Sequence, residues 1–264
     1  MMKEKEIELN KVQTDTYLEK INEFNSGKPI QQIIKVVEFN GINIHIDNNV
    51  LIPRPETEYL ADILTKALEN VLSSTIDQGK IFKILEVGIG SGAICISLVK
   101  KLENYSNLEL TGIDISSKAV AITKLNIEEN RPLPKLKVKA DEISSFGSTE
   151  TYDLIVSNPP YIPSRKIKSL SKSVKNFEPT IALDGGKDGL KIIREIIEFG
   201  INNSSRNHEL VIVLEINSKK QFIAIKKEFK YAFNEFKLLK DQYGRYRFLI
   251  ISKTTSPRSI YHLL

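Results

Sequence analysis

Cysteine and histidine are scarce in this chain of 264 residues, which contains one cysteine and three histidines. The single cysteine, Cys95, excludes an internal disulfide and a cysteine-rich metal site. The histidines, His45, His208 and His262, are far apart and lack the spacing of metal ligands, so we interpret them as surface or edge residues. We therefore expect no structural metal.

Long apolar runs are also missing. No stretch reaches the length needed to cross a bilayer, and the first residues, MMKEKEIELNK, carry charges of both signs without an apolar signal core. With 41% hydrophobic and 27% charged residues, the composition is that of a globular protein. We expect a cytoplasmic monomer without membrane contact. The net charge of +5 favours an anionic partner, but a general abundance of lysine gives the same balance without one.

The order of the predicted elements indicates the fold class. Apolar runs at 84–87, 108–113, 136–140, 152–157 and 210–216 alternate with helical patterns such as 93–102 and 116–130, and a closing pair of strands follows. This alternation predicts an α/β fold with a doubly wound, mostly parallel seven-stranded sheet. A short helix, a hairpin turning at Asn40-Gly41 and a long core helix from Pro55 precede it. We divide the chain into an N-terminal appendage, 1–49, and a main domain, 50–264.

A glycine-rich turn, EVGIGSG, follows the first strand of the main domain. The turn consists of Gly88, Ile89, Gly90, Ser91 and Gly92. Glycines between a strand and a helix let a ligand approach the backbone, and the helix N-terminus attracts a negative group. The G-x-G-x-G spacing departs from the dinucleotide fingerprint, but Asp114 ends the next strand, where a carboxylate binds ribose hydroxyls. The pair predicts a nucleoside cofactor. Asp141-Glu142 either border its adenine or form a turn.

The fourth strand ends in Asn158-Pro159-Pro160-Tyr161. The Asn158 side-chain oxygen and a carbonyl of the Pro-Pro segment can each accept an N–H of a planar NH2 group, while the Tyr161 ring covers its flat face. Alone, this tetrapeptide fits a proline turn equally well. Beside a nucleoside cofactor it suggests methyl transfer from S-adenosylmethionine to an aligned amine or amide, with S-adenosylhomocysteine as product, which needs no metal or protein nucleophile.

Two further stretches allow more than one interpretation. Residues 159–189 lack a regular pattern and follow NPPY directly, which predicts a flap facing the substrate. Its basic residues either contact phosphate or form a solvated run; they are Arg165, Lys166, Lys168, Lys172 and Lys175. In PRPETE, we interpret Arg54, Glu56 and Glu58 as helix-capping and surface charges.

These motifs together resemble the HemK-type class I methyltransferases, which modify the side-chain amide nitrogen (N5) of the glutamine in the Gly-Gly-Gln loop of peptide chain release factors. The similarity runs from about Pro29 to Phe248. Besides EVGIGSG, Asp114 and NPPY, the matching stretches are FNG, LIPRPETE, FEPTIALDGGKDGL and DQYGRYR. RPETE before the glycine turn and GGKDGL after NPPY make the combination specific.

The resemblance implies a Rossmann-like fold that binds S-adenosylmethionine, with release factors as partners. It implies that Gly88 to Gly92, Asp114, Glu142 and Asn158 contact the cofactor. It also implies that Asn158 to Tyr161 hold the substrate glutamine and form the catalytic site, and that residues 1–49 are a shortened recognition segment. The departures are Gln32 for tyrosine, Lys35 for glycine and Asn217 for glycine, and they concern partner recognition more than the chemistry.

Two other functions remain open. DNA adenine methyltransferases share NPPY, so transfer to an exocyclic amine of DNA or RNA, such as adenine N6, is the alternative. The chain has little room for a base-reading domain, and we do not expect direct nucleic-acid binding. The third possibility is a non-enzymatic regulatory protein that binds the cofactor.

Overall fold

A computed structural model describes residues 9–75, 79–131, 135–147, 150–204, 209–253 and 259–264. His208 and the first eight residues of the predicted appendage lie outside these ranges. The helices are α1 (Lys11–Asn25), α2 (Ile30–Ile34), α3 (Pro55–Thr75), α4 (Ala93–Lys101), α5 (Ser117–Asn130), α6 (Ser164–Ile167), α7 (Lys172–Lys175), α8 (Lys191–Asn203), α9 (Lys219–Phe229) and α10 (Ile260–Leu263). The strands are β1 (Val36–Phe39), β2 (Ile42–His45), β3 (Phe82–Val87), β4 (Leu108–Asp114), β5 (Leu136–Ala140), β6 (Leu154–Ser157), β7 (Val211–Glu215), β8 (Glu235–Lys240) and β9 (Tyr246–Ser252).

The main sheet confirms the predicted α/β fold. It has seven strands in the order β5-β4-β3-β6-β7-β9-β8. All pairs from β5 to β7 are parallel, and β9 runs antiparallel to both β7 and β8. The chain moves outward from β3 to β5 and then returns to β6 on the other side of β3. This reversal opens a crevice at the carboxyl ends of β3 and β6, where ligands of doubly wound sheets bind.

Alternate strand residues feed two apolar cores, one on each face of the sheet. Ile84, Leu154 and Val211 point to the core under α3 and α4. Their neighbours Leu85 and Ile155 point to the core under α8 and α9. The central strands β6 and β7 are buried along their whole length, and their sequences LIVS and VIVLE are almost continuously apolar, which makes them easy to recognise in the sequence.

The predicted hairpin is confirmed as the pair β1 and β2. Asn40 and Gly41 at its turn have φ angles of 53° and 78°, as a tight two-residue turn requires. The hairpin is bound to α5, since the Asn126 amide accepts from His45 N at 2.7 Å and donates to His45 O at 2.9 Å. Lys35 has a φ of 63°, so lysine occupies a left-handed position that glycine fits more easily.

Helix α1 is different, because none of its residues is buried. Its exposed apolar side chains are Val12, Tyr17, Leu18, Ile21 and Phe24. No helix in the described ranges combines the length and apolarity needed to span a bilayer.

The structure adds helices that the sequence interpretation did not contain. Helix α8 was not predicted, although Ile192, Ile193, Ile196 and Ile197 repeat at helical spacing along it. The irregular segment 159–189 holds α6, α7 and a short 3₁₀ turn at Thr180–Ala182. A parallel bridge between Ile162 and Asp184 closes this segment back onto the end of NPPY.

Candidate active site

A cavity of about 540 Å³ lies at the carboxyl ends of the central strands. Of the predicted site residues, Gly88, Ile89, Gly90, Ser91, Asp114, Glu142, Asn158 and Pro160 line it. Gly92, Pro159 and Tyr161 are not part of its lining. Other parts of the wall come from segments that are remote in sequence: 49–57, which leads into the first turn of α3, 180–186, which includes the 3₁₀ turn, and the start of α8. The structure thus brings the glycine turn, Asp114 and NPPY to one space.

The three glycines of the turn have different requirements. All three have positive φ, and Gly88 and Gly90 have open space where a side chain would project. At Gly92 a Cβ would lie 2.8 Å from Thr123 Cγ2 and 2.9 Å from Ile96 Cδ1. Gly92 is therefore needed for close packing of α4 against α5, whereas Gly88 and Gly90 leave a cradle that suits a ligand.

Two acidic residues bind the backbone of the glycine turn and of the helix that follows it. Asp114 accepts hydrogen bonds from Gly90 N and Ser116 N, each at 2.9 Å, so each of its two carboxylate oxygens binds one backbone N–H group. Each oxygen keeps a lone pair for a further donor. Glu86 accepts from Cys95 N at 3.0 Å, and its burial raises the pKa of its carboxyl to about 8. Burial likewise raises the pKa of Asp114.

Acidic side chains also border the far side of the cavity. Asp141 and Glu142 both line it. Asp141 accepts hydrogen bonds from Lys139 Nζ at 2.5 Å and from Glu142 N at 3.0 Å, and the Glu142 carbonyl accepts from Ser145 N at 3.0 Å, which closes a turn. The bond to Lys139 lowers the pKa of Asp141. Glu195 from α8 joins this wall, although the sequence interpretation did not include it. Burial raises the pKa of Glu195.

NPPY is bound through side chains that are distant in sequence. Asn158 Nδ2 donates to Thr57 Oγ1 at 2.9 Å, and Thr57 Oγ1 donates to Glu215 Oε2 at 2.8 Å. The Tyr161 hydroxyl donates to the other oxygen, Glu215 Oε1, at 3.0 Å. Glu215 is 1% exposed, and burial raises its pKa although the bonds from Thr57 and Tyr161 and the nearby charge of Arg247 lower it. The buried Glu215 carboxylate is therefore connected to both ends of NPPY: directly to Tyr161, and through Thr57 to Asn158.

The backbone of NPPY packs directly against the glycines of GGKDGL. A Cβ on Gly185 would lie 2.4 Å from the Pro160 carbonyl oxygen, and one on Gly189 would lie 2.3 Å from that of Tyr161. Gln221 Nε2 donates to the Tyr161 carbonyl at 3.0 Å. Neither carbonyl of the Pro-Pro segment accepts a hydrogen bond from the described residues, and of the two prolines Pro160 lines the cavity.

The charges of PRPETE have tertiary partners, which corrects their interpretation as capping and surface charges. Arg54 Nη2 donates to Glu178 Oε1 at 2.6 Å, and Glu178 is 5% exposed. Glu58 Oε1 accepts from Asn40 N at 2.6 Å. Glu56 lies 4.0 Å from Arg247. PRPETE thereby joins the hairpin, the flap and the last strand to the start of α3.

Thr57, Glu215 and Gln221 were missed from the sequence. A signal for Glu215 existed, because a carboxylate that ends the apolar strand VIVLE at the cavity edge repeats the placement of Asp114. Thr57 offered none, since its partners are 101 and 158 residues away.

Comparisons with known proteins extend these observations. Residues 60–175 match the family model described as methyltransferase small domain. The hMettl16 catalytic domain, solved in complex with a MAT2A 3′UTR hairpin, aligns with a TM-score of 0.61 at 16% identity, over 80% of this chain and 75% of that chain. A methyltransferase from Pyrococcus furiosus aligns with a TM-score of 0.53 at 18% identity, over 90% of this chain and 98% of that chain. These likenesses show the methyltransferase fold.

Sequence relatives are more specific. A release factor glutamine methyltransferase of Flavobacterium psychrophilum is 33% identical over 94% of this chain and 83% of its own length. One of Rhodopirellula baltica is 31% identical over 90% and 78%, and one of Streptococcus pneumoniae is 36% identical over 85% and 75%. At these identities and coverages, the chain belongs to the family of release factor glutamine methyltransferases.

Proposed function

We propose that this protein transfers a methyl group from S-adenosylmethionine to the side-chain amide nitrogen of the Gly-Gly-Gln glutamine of peptide chain release factors. The names of its relatives support the reaction and the substrate. The observation that carries the proposal is the position of Asn158 on the wall of the cavity that the glycine turn also lines, with its Oδ1 making no hydrogen bond to the described residues.

The cofactor end of the cavity fits a nucleoside. Gly88 to Ser91 would hold it against the backbone, Asp114 would accept from its ribose hydroxyls, and Glu142 would border its adenine. When bound, S-adenosylmethionine supplies a methyl carbon on a positively charged sulfur that leaves as a neutral thioether. The protein therefore has to align an acceptor rather than to provide a nucleophile of its own.

The substrate end fits a planar amide. An amide nitrogen is a poor nucleophile because its lone pair is delocalised into the carbonyl. Asn158 Oδ1 and a carbonyl of the Pro-Pro segment can each accept one N–H, which fixes the nitrogen in place and increases electron density on it. The hydroxyl of Tyr161 donates a hydrogen bond to Glu215, which fixes the side chain. We propose that the Tyr161 ring covers the flat face of the glutamine amide.

We further propose that residues 1–49 recognise the release factor. The exposed apolar side chains of α1 support this role, because a helix that buries none of its own residues has a face free for another protein. The hairpin holds this segment on the domain that carries NPPY, through Asn126 and Glu58.

The proposal is tested by transfer of labelled methyl from S-adenosylmethionine. The purified protein is offered a release factor, the same factor with its Gly-Gly-Gln glutamine replaced by glutamate, ribosomal RNA and duplex DNA, with one of the named relatives as positive control. We expect label on the unaltered release factor alone. Label on nucleic acid, or equal label on the glutamate form, would contradict the proposal.

A further inference from the structure

We propose that Thr57 and Glu215 are positioning residues that fix the Asn158 amide with its oxygen toward the cavity and its nitrogen away from it. The catalytic consequence of this orientation rests on the proposed function, whereas the orientation itself does not. We call the chain of hydrogen bonds from Glu215 through Thr57 to Asn158 the relay; neither Glu215 nor Thr57 was part of the predicted site.

The direction of the relay starts at Glu215. Its carboxylate accepts from the Tyr161 hydroxyl at 3.0 Å and from Thr57 Oγ1 at 2.8 Å. Burial raises the pKa of Glu215 and Glu56 adds to this effect, whereas the hydrogen bonds from Thr57 and Tyr161 and the charge of Arg247 favour the ionised carboxylate. The relay belongs to the ionised state of Glu215: an ionised carboxylate can only accept, so the single hydroxyl hydrogen of Thr57 is then committed to it.

The committed hydrogen of Thr57 then decides the orientation of Asn158. With its hydrogen used, Thr57 Oγ1 can only accept from the asparagine, and it does so from Nδ2 at 2.9 Å. A flipped amide would place two acceptor oxygens against each other. Thr57 is 5% exposed, so water has little access to relieve that conflict. The nitrogen and oxygen of an asparagine amide are nearly equal in size, and only such partners distinguish them.

The chosen orientation is the one that binding of an NH2 group requires. Asn158 Oδ1 makes no hydrogen bond within the described part of the chain, and Asn158 lines the cavity. In the opposite orientation its NH2 would meet the NH2 of the substrate, donor against donor. Because Tyr161 binds the other oxygen of the same carboxylate, Glu215 also secures the far end of NPPY. Both ends of the motif therefore depend on one buried group.

Thr65 provides a matched control on the same helix. It is 6% exposed, and its hydroxyl donates to the Ala61 carbonyl at 2.8 Å, a contact confined to the helix. Thr57→Val and Thr65→Val thus remove the same hydroxyl from equally buried positions of α3, and only Thr57→Val breaks the relay. Thr57→Ser keeps the hydroxyl and should keep the relay.

The orientation is tested by NMR of the Asn158 side-chain NH2, assigned by its loss in Asn158→Ala. We expect its signals to shift and its solvent exchange to accelerate roughly tenfold in Thr57→Val, as for loss of one hydrogen bond to a buried partner, and to stay unchanged in Thr57→Ser and Thr65→Val. If the chemical shifts and the solvent exchange of the Asn158 NH2 are the same in Thr57→Val as in the wild type, the proposal is overturned. If Thr57→Val does not fold, Thr57→Ala, which also removes the hydroxyl, is measured instead, and unchanged Asn158 signals there would overturn the proposal equally.

The catalytic consequence is tested by kinetics of the same variants. Thr57→Val should lower kcat by ~10- to 100-fold with little change in KM, since misorientation affects the reacting complex more than substrate affinity. Thr57→Ser should recover most of the rate, and Thr65→Val should match the wild type. Equal loss in both valine variants would show a structural effect and contradict positioning. If the wild type transfers no methyl to a release factor, the proposed function fails, while the NMR result still decides the orientation.

Discussion

Asn158 is the side chain on which the proposed chemistry depends most. Asn158→Ala removes an acceptor at the cavity wall and buries no new polar group, so we expect kcat to fall by ~100-fold or more while the fold stays intact. Steady-state kinetics and thermal unfolding measure the two effects. Asn70→Ala is the control, because Asn70 is exposed on α3 and its amide donates to the Lys66 carbonyl of the same helix at 2.9 Å. Loss of folding in Asn158→Ala would show that the residue is structural.

Glu86 makes stability depend on pH. Burial raises its pKa from 4.5 to about 8, so the folded state favours the protonated carboxyl. The protonated Glu86 carboxyl therefore contributes its full stability below the pKa of the unfolded state. This stability is lost as the pH rises toward and through the pKa of the folded state. Between pH 6 and 9 we expect wild type to lose on the order of 2–3 kcal/mol relative to Glu86→Gln. Denaturant unfolding of both proteins across this range measures it, and parallel pH curves would contradict it.

At this scale the sequence predicts residues that end strands at the carboxyl edge of the sheet. Asp114 and Asn158 are such residues, because each terminates an apolar run and parallel strands place their ends together. The partners of Asn158 are not predictable in the same way. Thr57 occupies a helix position like many others, and its contact with Glu215 arises only when α3 packs across β7.

Among the elements, the segment after NPPY is held by close backbone packing. Gly185 has an ordinary φ, but a Cβ there would lie 2.4 Å from the Pro160 carbonyl. We expect Gly185→Ala to displace NPPY, at a cost of ~1–3 kcal/mol in stability and with a lower kcat. Gly147→Ala is the matched control, since nothing lies within 4 Å of its Cβ position. Unfolding and kinetics of both variants compare them, and equal behaviour would contradict a packing role for Gly185.

The sheet was predictable at the element scale, and the segments that enclose the site were not. Continuous apolar runs identify strands buried on both faces. Helices α6 and α7 have four residues each, too few for a helical period to show. Helix α8 has a clear apolar period and was predictable from it, although no element was predicted for these residues.

For the whole molecule, α1 stands apart from the packed domain. Because it has no buried residues, removal of residues 1–27 should leave the melting temperature and cofactor binding nearly unchanged. If the segment recognises the release factor, KM for the full factor should rise by ~10-fold or more, the usual scale for loss of an apolar contact patch. Kinetics with a short Gly-Gly-Gln peptide are the control, and should be unaffected. If removal of residues 1–27 leaves the KM for the full factor unchanged, this segment does not recognise the release factor.

The cavity as a whole combines parts that sequence reasoning treated separately. Arg54 bonds Glu178 across 124 residues, and this contact links PRPETE with the FEPTIALDGG stretch on the cavity wall. The resemblance grouped these motifs without a physical reason for their grouping. The folded structure supplies the reason: these stretches meet around the cavity and NPPY. Local sequence patterns cannot show such contacts between distant segments.

The central claim is that Asn158 holds a glutamine amide for methylation. Tandem mass spectrometry of a release factor incubated with S-adenosylmethionine and the protein tests it directly, with Asn158→Ala and Asn70→Ala in parallel. We predict one added methyl on the side-chain nitrogen of the Gly-Gly-Gln glutamine with the wild type and Asn70→Ala, and none with Asn158→Ala. A methyl group on a different residue, or equal methylation by Asn158→Ala, would contradict the claim.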